Sequence, residues 1–96
     1  MLVKRLISYL LGVLKDSTVK VFCASLAVAL KKERVRQKLS MNGLAERAGL
    51  SQQMVSYVER GMRKPTLDTI FRMSVALDVN LSVLIEKARK AAHHGR

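Results

Sequence analysis

Apolar residues recur at intervals of three and four along almost the whole chain, which is the spacing of helices rather than strands. Residues 2 to 14 place Val3, Leu6, Leu10 and Leu14 on a broad apolar face and Lys4, Ser8, Gly12 and Lys15 on one polar stripe, so this first helix needs a surface to pack on. Asp16-Ser17-Thr18 reads as the start signal of a second helix running from about Val19 to Lys38, with Phe22, Leu26 and Leu30 on its buried side. Ser40 is placed to cap a third helix ending near Ala48, and Ser51 a fourth ending near Arg60. Thr66 caps a fifth from Leu67 to about Leu77, and Asn80 a sixth from Leu81 onward. In the fifth, Leu67, Ile70, Phe71, Ser74 and Leu77 share one arc; in the sixth, Leu81, Leu84, Ile85 and Ala88 do, and both are predicted to be core helices. The chain reads as all-α.

The two short helices between Ser40 and Gly61 differ from the rest. They flank Ala48-Gly49-Leu50-Ser51, a break of the length that turns one helix sharply against another. Gly49 can take the left-handed conformation that ends a helix, and Ala45 leaves room for a close crossing. At about 100° per residue, the second of these helices turns Val55, Val58 and Ser51 inward. Gln53, Ser56, Tyr57 and Arg60 fall on the opposite arc, and Gln52 reaches forward from the first turn. Amide, hydroxyl and guanidinium groups on one exposed face suit the reading of base edges and the gripping of phosphates. By itself such a face is more often plain solvated surface; the turn spacing and the charge of the chain shift that balance.

The charge is considerable. Ninety-six residues hold one core, and 18 Lys+Arg against 7 Asp+Glu give a net charge of +11, an excess suited to a polyanion, nucleic acid or anionic membrane. The run KKERVRQK is strongly cationic, and a dipole-matched helix end accounts for any one of its charges as well as a phosphate contact does. Cys23 is the single cysteine, which excludes an intramolecular disulfide, and with no His or acidic partner at helical spacing no metal site or cofactor is expected. His93 and His94 are adjacent, and neighbouring helix positions do not share a face. Lys4-Arg5 followed by Leu6 to Leu14 resembles a signal-peptide core, but no small-residue cleavage pattern follows, so the protein is expected to be cytoplasmic. No nucleophile–base pair, paired carboxylates or phosphate-cradling glycine loop is present, so an enzyme is not expected.

Residues 28 to 86 closely resemble the Cro/C1-type (XRE-type) helix-turn-helix family of phage-repressor-like regulators, through LKKERVRQKLS, LAERAGLSQQMVSYVERG, RKPTLDTI and ALDVNLSVLI. The resemblance implies a lambda-repressor-like bundle of about five helices, here with an extra N-terminal amphipathic helix. The expected division is residues 1–16 as the amphipathic segment, 17–90 as the DNA-binding domain and 91–96 as a basic tail. It further implies that Gln52, Gln53, Ser56 and Tyr57 read bases or face the groove, and that Ser51, Arg60, Arg63 and Lys64 contact phosphate. Tyr57 could meet a thymine methyl or a phosphate. Arg34 and Glu59 would form a structural ion pair, and the helical wheel agrees by placing Glu59 near the buried edge.

The chain departs from the family pattern at Met41, where a phosphate-binding glutamine is common, and at Gly43, where a good helix former is usual. The expected function is that of a homodimeric transcriptional regulator, a repressor, on a palindromic double-stranded DNA operator. The segment 2 to 14 either makes the dimer contact or covers its own subunit. Two further readings compete: an antitoxin that uses the same domain for autoregulation while another surface holds a toxin, and a membrane-surface adaptor whose N-terminus binds anionic lipid.

Overall fold

The computed structural model describes residues 2–62 and 65–94, with the backbone alone at 2, 9, 11–16, 93 and 94. Among these residues the chain forms five helices: α1 (Leu2–Arg36), α2 (Met41–Ala48), α3 (Gln52–Glu59), α4 (Leu67–Ala76) and α5 (Leu81–His94). The all-α class read from apolar spacing is the observed one.

The break expected at Asp16-Ser17-Thr18 does not occur, and α1 runs unbroken for 35 residues. A Ser, Asp or Thr caps a helix only where the backbone before it leaves helical geometry. No Gly or Pro lies between Val13 and Arg36 to force that departure. Inside a continuous ladder these residues cost only about 0.5 kcal/mol each relative to alanine. The N-terminal segment and the first helix of the domain are therefore one rod.

The short helices begin at their polar caps. The side chains of Ser40, Ser51 and Thr66 accept hydrogen bonds from the backbone N–H of Gly43, Met54 and Thr69, and Asn80 Oδ1 accepts from Ser82 N at 2.8 Å. Each satisfies a donor that a helix N-terminus otherwise leaves open, which is worth about 1 kcal/mol. Gly43 gains a local reason. A Cβ there would lie 2.9 Å from Leu39 Cδ1 and 3.1 Å from Ser40 Oγ, so the missing side chain lets Leu39 close over the first turn of α2.

The core joins all five helices: Leu26 and Leu30 from α1, Leu44 and Ala45 from α2, Val55 and Val58 from α3, Ile70, Met73 and Leu77 around α4, and Leu84 and Ala88 from α5. In α4 the expected arc was turned by about one position. Leu67 and Phe71 are exposed at 73% and 56%, whereas Thr69, Ile70, Met73 and Ser74 are buried. Met73 takes the middle of the buried arc, and this rotates the two larger apolar residues to its solvent edge. Phe22 packs at the edge of the core, and Leu26 and Leu30 lie within it.

The longest dimension of the molecule, 53 Å against 22 and 18 Å across, is set by α1, because 35 residues rising about 1.5 Å each span about 52 Å. Every described side chain from Val3 to Lys20 is exposed. The first half of α1 projects from the domain as an arm.

Candidate nucleic-acid interface

The turn between α2 and α3 is built by one residue without a Cβ. Gly49 adopts φ +68°, and Gly49 N and Leu50 N return hydrogen bonds to Glu46 O (3.3 Å) and Ala45 O (2.9 Å). These close the last carbonyls of α2 before the chain turns. Ser51 then starts α3, its Oγ accepting from Met54 N at 3.1 Å. The wheel placed Ser51 inward; as the cap it is exposed, since a capping residue stands outside the helical cylinder.

Val55 and Val58 anchor α3 in the core at 0% and 2% exposure, and the helix thereby turns its polar arc outward. Gln52, Gln53 and Arg60 are exposed and Ser56 and Tyr57 are half-buried. Gln53 Nε2 donates to Tyr57 Oη at 2.6 Å, and Arg60 Nη1 donates to Ser56 Oγ at 3.3 Å. Both pairs join residues one helical turn apart, so they hold long side chains against the helix and shape its outer face. Together with Met41 and Met62 these residues line a shallow concavity.

Of the two methionines, Met41 shares the helical arc of Leu44, Ala45 and Ala48 and so is legible in the sequence as a core-edge residue, whereas Met62 is not placed by the sequence. Met41 packs against the edge of the core while also bordering the concavity, and Met62 is 56% exposed. The signal for Met62 was its position just after Gly61, which takes φ +67° and turns the chain back beside α3. The flexible thioethers of Met41 and Met62 give this polar surface an apolar border. Arg63 and Lys64 lie outside the described residues.

One ion pair fixes the far end of α3. Arg34 Nε and Nη2 donate to Glu59 Oε2 (2.7 Å) and Oε1 (2.9 Å), and Arg34 Nη1 donates to Leu39 O at 2.8 Å. This is the two-pronged geometry that a planar guanidinium makes with a carboxylate. The side chains are 11% and 1% exposed, and the hydrogen bonds to Glu59 raise the Arg34 pKa above its ordinary value. The pair ties the C-terminal end of α3 to α1 and to the Leu39 carbonyl, and so sets the angle at which the polar face is presented. Among the described residues no cluster of His, Cys, Asp or Glu is placed to hold a metal ion.

The helix-turn-helix family profile matches residues 30–84, which includes α2, the Gly49 turn and α3 entire. The chain belongs to the XRE-type helix-turn-helix family of transcriptional regulators. It is 41% identical over 59 residues to two uncharacterized HTH-type transcriptional regulators of Mycobacterium tuberculosis, MT0491 and Rv0474, the match covering 62% of this chain and 42% of theirs. It is 32% identical over 66 residues to the HTH-type transcriptional regulator SutR of Escherichia coli, covering 69% of this chain and 37% of SutR. The chain thus spans less than half the length of these relatives. In fold it is similar to a mutant of the Restriction-Modification Controller Protein C.Esp1396I, with a TM-score of 0.66, 23% identity and coverage of 72% of this chain and 90% of that one. The family match begins at Leu30, so the arm of α1 falls outside it.

Proposed function

We propose that the protein is a sequence-specific double-stranded DNA-binding regulator that acts in the cytoplasm as a homodimer, inserting α3 of each copy into the major groove. The supporting observation is the outward polar face of α3, held by a capped turn on one side and the Arg34–Glu59 pair on the other. Gln52, Gln53, Ser56 and Tyr57 bring amide and hydroxyl groups to one shallow concavity of that face, and these are the groups suited to reading base edges, a glutamine pairing naturally with adenine N6 and N7. Ser51 and Arg60 flank them and, with Arg63 and Lys64, supply phosphate contacts. A net charge of +11 provides the sequence-independent attraction on which such reading rests.

Two copies related by a two-fold axis would present their recognition helices to successive major grooves about 34 Å apart, which requires a palindromic operator. A chain seated over a promoter in this way represses by excluding polymerase. No helix among the described residues is long and apolar enough to cross a membrane. Selection of bound duplexes from a random pool tests the proposal: an enriched inverted repeat with half-sites one helical turn apart supports it, and recovery of unenriched sequence contradicts it.

A further inference from the structure

The arm of α1 carries an apolar face that its own domain does not use. At about 100° per residue, Val3, Leu6, Ile7 and Leu10 fall in one arc with Val21, Ala24 and Val28, roughly opposite the arc of Phe22, Leu26 and Leu30 that enters the core. Along the arm, the azimuth that faces the core further down is occupied instead by Lys4, Arg5 and Ser8. The helix is thus amphipathic twice, with its polar stripe turned toward the side where the domain would be. Val3, Leu6, Ile7 and Leu10 are 67, 59, 49 and 51% exposed.

The lower part of the same face borders an open groove between α1 and α5, with Val21, Ala24, Val28, Leu84, Ala88 and Ala91 among its lining. Alanines and one serine line much of this groove, with Lys32, Glu33, Arg36 and Lys87 also along it, whereas the arm offers large apolar side chains. One chain therefore displays an unburied apolar helix and an unfilled apolar groove along the same rod.

We propose that the arm of one copy lies antiparallel in the α1/α5 groove of a second copy, and that this reciprocal exchange is the dimer contact. It rests on the homodimer reading above and specifies its surface. Setting Val3, Ile7 and Leu10 opposite the partner's Val28, Ala24 and Val21 keeps the alternating three- and four-residue layers of a helical seam and puts Ile7 over an alanine. A parallel, in-register pairing would instead oppose each Lys31 to its own copy and leave the groove open. In the antiparallel pairing, one isologous contact buries both surfaces twice over, as a two-fold axis requires. Lys4 and Arg5 then point away from the seam.

The test uses the full-length chain without DNA. Sedimentation equilibrium should give a dimer, and Ile7→Glu with Leu10→Glu should raise its dissociation constant about 100-fold or more. In a Cys23→Ser background, a short bis-maleimide should link copies of the Ile7→Cys/Ala24→Cys variant but not of Ile7→Cys alone, because the two Ile7 positions would lie about 25 Å apart along the seam. A monomeric wild-type chain, a dimer untouched by the arm substitutions, or cross-linking of Ile7→Cys alone would each overturn the proposal. Since DNA is absent, any of these results leaves selective duplex binding to be judged by its own assay.

Discussion

Removing either partner of the buried Arg34–Glu59 pair should destabilise the domain more than removing any exposed charge. Glu59→Leu leaves the Arg34 guanidinium, 11% exposed, without its carboxylate. Arg34→Met leaves a carboxylate at 1% exposure without either donor and strips Leu39 O of a 2.8 Å hydrogen bond as well. An uncompensated buried charge of this kind costs about 3–5 kcal/mol, a large part of the total of about 5–15 kcal/mol typical of a domain. At about 4–8 °C per kcal/mol for a domain of this size, the melting temperature should fall by about 12 °C or more. The double variant Arg34→Met/Glu59→Leu carries no buried charge and loses mainly the Leu39 carbonyl partner, so its cost should be only about 1 kcal/mol. Urea denaturation of the four proteins measures the cycle. Single losses below about 1 kcal/mol, or a double loss equal to the sum of the singles, would show that the two charges are not coupled as a buried pair.

Other consequences are as direct. Gln53→Ala should weaken a selected operator by about 1–3 kcal/mol and leave random duplex nearly unchanged in a gel-shift competition; equal loss on both would remove Gln53 from base reading. Arg60→Ala should flatten the slope of log K against log salt by about 0.9, the signature of one phosphate contact, measured by fluorescence anisotropy from low to moderate salt. Gly49→Ala should cost at least about 1 kcal/mol, because φ +68° disfavours any side chain and the new Cβ would stand 3.2 Å from Arg72 Nη1; a neutral thermal melt would contradict this. Glu33 is held at about 2, first by its hydrogen bond from Arg36 and then by that from Gln37. Its folded value lies below the ordinary 4.5, so its contribution is complete above about pH 4.5 and lost as pH falls toward 2. Glu33→Gln should therefore show a shallower loss of thermal stability across that window than the wild type, and parallel curves would count against the assignment.

Much of the fold is written locally, which is why it could be read. Ser40, Ser51, Thr66 and Asn80 cap helices because each follows a real break in the chain, and Gly49 ends α2 because the turn needs positive φ. The same logic failed at Asp16-Ser17-Thr18, where cap-forming residues stand without a break and a helix simply passes through them. It also misjudged α4, because a helical wheel fixes the width of an apolar arc but not its centre; packing by Met73 decided that Leu67 and Phe71 would face solvent. The polar arc of α3 was legible from periodicity once Val55 and Val58 were assigned inward. The links between Gln53 and Tyr57 and between Ser56 and Arg60, and the flanking by Met41 and Met62, depend on rotamers and on the return of the chain after Gly61, which spacing does not encode.

Whether α3 carries the reading surface is measured residue by residue in an NMR titration of the isotope-labelled chain with its selected duplex. The side-chain amides of Gln52 and Gln53 and the backbone signals of Ser51 to Arg60 should shift most, with those of α5 nearly unmoved. Shifts concentrated on the α1 arm or on α5, with Gln53 and Tyr57 unaffected, would contradict that role of α3.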